Sequence, residues 1–137
     1  MNSPMLVLGA TLLLAVLVVA LRREAVAAWL ATSLGTGVVA AVVFLARPDS
    51  ALLPLGGTWV LLGRSLELGD ANRAIVGFVY LVAGFMFLGA RVARPGRLFY
   101  AAGLLVTGLA AASLMAVPFL YAALFLEGMA LVAVLML

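Results

Sequence analysis

The sequence predicts an all-α integral membrane protein of five transmembrane helices, and three observations carry that reading. Of the 137 residues, 68% are hydrophobic and only 9% are charged, whereas soluble domains run nearer half apolar and a quarter charged. The apolar residues fall in runs long enough to cross a hydrocarbon layer of about 30 Å. The charged residues, Glu127 apart, fall between those runs. The length leaves no room for a soluble domain beside the helices, so function is expected inside the bilayer or on partners.

Met5–Leu21 is an uncharged run closed by Arg22, Arg23 and Glu24, and Ala25–Ala46 follows at once. In a cleaved signal peptide the positive charge precedes the apolar stretch; here it follows, so the first run is read as a retained helix. Arg47, Pro48, Asp49 and Ser50 end the second helix with charge and a helix-breaking proline. From there to Arg73 runs the one substantial loop. Within it Thr58–Leu62 and Arg64–Leu68 are punctuated by Gly56, Gly57, Gly63 and Gly69, and Arg64 to Leu68 roughly alternates polar with apolar residues, as a small hairpin or interfacial flap would. Trp59 suits either the headgroup level or a buried place in that loop. The third run, from Ala74, closes on Arg91, Arg94 and Arg97 around Pro95-Gly96. Leu98–Leu137 contains a single charge, Glu127. As one helix at 1.5 Å per residue it would be about 60 Å long, so it should fold back, and Pro118 marks the turn. The expected helices are 5–21, 25–46, 74–92, 98–114 and 119–137, with an outer loop over 47–73.

The eight basic residues are all arginines. Two lie between the first and second helices and three between the third and fourth, which puts both groups on one side of the membrane. The other side carries Arg47, Arg64 and Arg73, offset by Asp49, Glu67 and Asp70 in a longer loop. By the positive-inside bias the two short basic turns are cytoplasmic and the N-terminus lies outside. Because the arginines read as topology, nucleic acid is not an expected partner; the expected surroundings are a lipid bilayer, the inner (cytoplasmic) membrane of a bacterium or archaeon.

Ordinary site chemistry is almost absent. With no His and no Cys, zinc sites, thiol nucleophiles, disulfides, iron–sulfur clusters and His-ligated haem drop out together, and no cofactor is expected. Glu127 carries the information, because it stands near the middle of the expected fifth helix, where an ionised carboxylate without a partner is costly. It should be a protonated carboxyl or a carboxylate paired with a cation, and either state can trade protons. On a helical wheel it shares a face with Ala123, Leu124, Ala130 and Leu131, and Gly128 adjoins it. These small residues would allow another helix or a water file to approach. No arginine lies within the uncharged stretch of an expected span, Arg91 only closing the third, so the cation is expected from elsewhere. Thr11, Thr32, Ser33, Thr36, Tyr80, Tyr100, Thr107 and Ser113 are the other polar groups of the spans. They could line a hydrated path, although the commoner role of such groups is to bond a backbone carbonyl or pack against small residues. Gly35-Thr36-Gly37 has no following Lys and is read as close helix packing, as are Gly103 and Thr107. The wholly apolar end, Val132–Leu137, predicts an incomplete bundle: a truncated chain, or one whose fifth helix is completed by another subunit.

The stretch Leu66 to Ala71 leading into the third helix, the basic Arg94 to Arg97 turn and the segment Phe119 to Leu131 resemble, in helix order, the N-terminal third of a known group. These are the antiporter-like subunits of respiratory complex I and of the related membrane hydrogenases and Mrp-type cation/proton antiporters. The resemblance puts Glu127, followed by Gly128 and Met129, on the family's fifth-helix glutamate and Asp70 on the aspartate of the loop before the third helix. Leu126 stands where the family has tryptophan, Gly128 where it has leucine, and Asn72 where it has an apolar residue. The lysine that partners the family's glutamate lies on the seventh helix, outside these 137 residues, so the resemblance implies half of an ion pair. It further implies a non-redox membrane-arm subunit of a proton-translocating oxidoreductase such as NADH-quinone oxidoreductase, working with other membrane subunits, one of which supplies a cation near Glu127. On the residues alone two alternatives stay open. One is a small homo-oligomeric proton-coupled transporter, and the other a structural assembly subunit in which Glu127 is a packing hydrogen bond. Asp70, at the membrane surface, is expected to cap the third helix through its backbone amides.

Overall fold

The computed structural model describes residues 2–45, 57–61, 63–93, 95–96, 98–117 and 122–134. Among them the helices are α1 (Ser3–Ala20), α2 (Ala25–Leu45), α3 (Asp70–Ala93), α4 (Phe99–Met115) and α5 (Ala122–Val134), with short strands β1 (Thr58–Leu61), β2 (Arg64–Glu67) and β3 (Ala116–Val117). The helices run up and down. α2 packs along α3, α1 packs on α4 and α2, and α5 packs on α4. α1, α2 and α3 are long and apolar enough to cross a membrane, and α4 and α5 are shorter apolar helices. α3 starts at Asp70, earlier than the expected 74, so that Asp70 and Arg73 belong to its first turn instead of the loop. The expected turn at Pro118 lies outside the described residues.

Small and hydroxylated residues share the interior with larger ones such as Tyr80, Leu104 and Met115, and many large apolar side chains face out. Thr11, Ala15, Ala28, Thr32, Thr36, Ala40, Ala111 and Ala112 are buried, while Leu13, Val16, Leu34, Val38, Phe85 and Met86 are exposed. A protein folded by water would do the reverse with its large side chains. Where apolar helices pack on one another, small residues permit close backbone approach. Gly84 shows this. A methyl added there would sit 3.1 Å from Thr36 Oγ1, so α2 and α3 meet at that point because residue 84 has no side chain. Gly35, read from the sequence as a packing residue, lies against the side chain of Leu14.

Most hydroxyls inside the bundle bond its own backbone, while those of Ser3 and Ser33 are buried without a partner among the described residues. Thr32 donates to Ala28 O at 2.7 Å, Thr36 to Thr32 O at 2.8 Å, Thr107 to Gly103 O at 2.8 Å and Ser113 to Ala110 O at 2.7 Å. Thr11 donates to Val7 O at 2.8 Å and lies 2.6 Å from the hydroxyl of Tyr80. A threonine hydroxyl has one proton, and here it goes to Val7, so the proton between Thr11 and Tyr80 comes from the tyrosine. This bond joins α1 to α3 in the interior. Gly108 of α4 meets the methyl of the same threonine, with an added carbon there 3.1 Å away. Three helices therefore meet at Thr11.

One end of the bundle is closed by a small sheet in the order β1-β2-β3. The expected hairpin forms with Trp59 opposite Leu66 and Leu61 opposite Arg64, and Gly63 turns it with φ +75°. β3, which directly follows α4, pairs with β2 through Ser65↔Val117 and Leu66↔Ala116. Asn72, in the first turn of α3, donates to Glu67 O at 2.8 Å and to Leu114 O at 3.1 Å, satisfying a carbonyl at the end of α4. Asn2 makes no capping bond to its own helix and reaches Thr58 O at 3.1 Å. At the opposite end lie Arg22, Arg23 and Arg91, so both short arginine-bearing turns share one end of the bundle, as their spacing requires.

The direction of the Thr11–Tyr80 bond predicts an asymmetry. Tyr80→Phe removes the donor and leaves Thr11 bonded to Val7, and should destabilise the bundle by about 0.5–1.5 kcal/mol. Thr11→Val keeps the shape but leaves a buried tyrosine hydroxyl without its acceptor, and should cost about 1–3 kcal/mol. Equilibrium unfolding of both variants in detergent checks the order.

Candidate functional site

α5 sits at the edge of the bundle. Ala122 is buried, Phe125 packs against the core at the hairpin end, and Gly128 faces Leu109 of α4, with an added carbon 3.6 Å from that side chain. Gly128 is thus used for contact within the chain. Glu127, about 100° further round the helix, lies on the other face and is exposed, together with Ala123, Leu124, Ala130 and Leu131. The face drawn on the helical wheel therefore exists as one surface and points away from the bundle. The polar groups of the spans do not gather on it: all eight are buried within the bundle, and five of them bond carbonyls of their own helices. Among the described residues the one ion pair joins Asp70 to Arg73, and none brings a cation to Glu127.

Asp70 stands first in α3, where a negative charge is favourable at the helix N-terminus. Its described bond is to a side chain: Oδ1 accepts from Arg73 Nη1 at 2.7 Å. Arg73 is only 7% exposed and its Nε has no partner among the described residues, while the Asp70 side chain is 89% exposed. This is a half-solvated pair that holds a guanidinium at the hairpin end, in a different element from Glu127. Trp59 is partly buried against the core and lines a cavity of about 340 Å³ with Leu12, Leu61, Leu105, Leu109 and Phe125. Thr11, whose hydroxyl is bonded to Val7 and Tyr80, and the Trp59 indole carry the polar side-chain atoms of that lining, which is otherwise apolar. No group of three or more metal-ligating side chains occurs among the described residues.

The chemistry within reach is therefore that of one carboxyl group on an apolar helix face. It can hold or release a proton, or pair with a cation brought to it from outside the described bundle. The position of Glu127 at mid-helix was legible in the sequence. Its direction was not, because an α-helix apolar on every side leaves no pattern to show which face packs. No family model matches the chain, no curated protein sequence matches it significantly, and no solved structure does.

The exposed position of Asp70 makes its role testable. Asp70→Asn should lower the thermal midpoint by no more than a few degrees, roughly the effect of 1 kcal/mol in a chain of this size, since solvent already screens the pair. Thermal unfolding in detergent measures it.

Proposed function

We propose that this chain is the antiporter-like portion of a membrane-arm subunit in a proton-translocating oxidoreductase complex of the NADH-quinone oxidoreductase type. In this reading all five helices span the inner membrane of a bacterium or archaeon, the N-terminus and hairpin lie outside, and Glu127 takes part in proton transfer. The observation that supports it most is the carboxylate of α5 on an outward, otherwise apolar face. An unpartnered carboxylate left against hydrocarbon is costly, so such a group calls for a partner. A partner helix that offers a cation makes the protonated and ion-paired states close in energy. A change in the partner's position then exchanges a proton for an ion pair, which is the elementary act of a proton pump. The same face also fits the assembly reading, in which a donor on the partner bonds Glu127 and nothing is transported.

Two measurements follow. The described chain has no cysteine, so single cysteines at Ser65 and Pro95 can be labelled with an impermeant maleimide in oriented membranes. They should label from opposite sides, Ser65 from outside; labelling from the same side would overturn the five-span topology. Glu127→Gln keeps the size and much of the hydrogen bonding but removes the titrating group. Proton uptake into vesicles at matched content of assembled complex should fall at least tenfold. Full pumping with normal assembly would leave Glu127 a packing residue and favour the assembly subunit.

A further inference from the structure

At the arginine-rich end, α2, α3 and the start of α4 part around a groove of about 800 Å³. Val26, Leu88, Val92 and Pro95 supply its apolar walls, and the side chains with polar atoms on it are Arg91 and Tyr100. Both are held in place. The Arg91 guanidinium carbon stands 4.5 Å from the centroid of the Trp29 ring, and that indole donates to Leu88 O at 3.3 Å. Tyr100 is buried, with its ring tilted on Phe87 at 6.2 Å and edge-on to Phe99 at 5.5 Å. A guanidinium stacked on an aromatic face keeps its N–H edge for a planar or tetrahedral oxyanion, and no carboxylate among the described residues takes that edge of Arg91. The charge at this end of the bundle is mainly positive. Arg22, Arg23 and Arg91 lie at this end, Arg94 and Arg97 belong by sequence to the same connection, and Glu24 is the one acid near them.

We propose that this groove binds an anionic phospholipid, with the phosphate on Arg91 and the Tyr100 hydroxyl and one acyl chain along Val26, Leu88 and Val92. Charge complementarity selects the anion, as in other basic pockets between membrane helices. The apolar walls select an amphiphile over free phosphate, because most of the lining has nothing to offer a fully hydrated ion. Arg91 is placed to do this by the Trp29 stack, so the groove is a site and not only part of a positive surface. The proposal is independent of Glu127, which lies on a helix that does not border the groove.

Trp29 reports on the groove directly. The chain has two tryptophans, so the full-length Trp59→Phe protein in detergent leaves Trp29 as the one indole. Dihexanoyl phosphatidylglycerol, added below its micelle concentration, should change its fluorescence saturably. Dihexanoyl phosphatidylcholine should bind at least tenfold more weakly, and inorganic phosphate at equal concentration should neither change the signal nor compete. Arg91→Gln should weaken phosphatidylglycerol binding at least tenfold. Tyr100→Phe, which keeps the ring packing and Arg91, should weaken it severalfold, and Arg22→Gln, outside the groove, should leave it within twofold. Equal binding of the two lipids, or equal loss in Arg91→Gln and Arg22→Gln, would overturn the site in favour of diffuse charge. Displacement of the lipid by inorganic phosphate would overturn the lipid as occupant, and an unchanged affinity in Tyr100→Phe would remove the hydroxyl from it.

Discussion

A hydroxyl between packed apolar helices has no water to bond, and the way this chain meets that constraint organises its interior. Thr32, Thr36, Thr107 and Ser113 each turn back to a carbonyl of the preceding turn, which removes polarity from the helix surface and leaves a side chain little larger than alanine. Thr11 does the same and then accepts the proton of Tyr80, so a single residue serves its own helix and ties it to α3. Close approach depends on this economy. Gly84 against Thr36 and Gly108 against Thr11 bring backbones together at points where an outward hydroxyl would have kept them apart.

Glu127 is the exception that the same rule exposes. The threonine hydroxyls are answered within the bundle, whereas this carboxylate is turned outward on α5, which among the described residues packs mainly on α4. Glu127 presents its side chain on an exposed, otherwise apolar face, while the buried hydroxyls of Ser3 and Ser33 have no partner among the described residues. The two ends of the bundle divide other tasks. At one, the sheet and Asn72 tie the hairpin to the end of α4 and to the start of α3. At the other, Arg91 and Tyr100 line a groove whose remaining walls are apolar.

Asn72 shows how a residue out of place in a motif finds its reason in three dimensions. In the resemblance to antiporter-like subunits it stands where an apolar residue is expected. In the structure its amide donates twice, to Glu67 O and Leu114 O, joining segments far apart in sequence. Asp70 likewise reads as a helix cap from its position, and its described bond goes to Arg73, one turn on. The carboxylate has two local donors within reach, the amides and the guanidinium, and the buried guanidinium has the greater need of a partner.

The sequence by itself determined the helical class, the placing of both short basic turns at one end, the hairpin and the position of Glu127 as a lone acid within an apolar helix. These follow from run length, charge position and turn residues, which act over a few residues and leave a direct mark on composition. Only the tertiary structure decided which face of α5 packs on α4, that β3 extends the hairpin to a third strand, that Thr11 and Tyr80 bond, and that Arg91 is stacked on Trp29 beside a groove. The physical reason is common to all four. Helices that are apolar on every side carry no amphipathic signal, so their rotation and partners are set by small residues and single hydrogen bonds between segments distant in the chain, which no local pattern records.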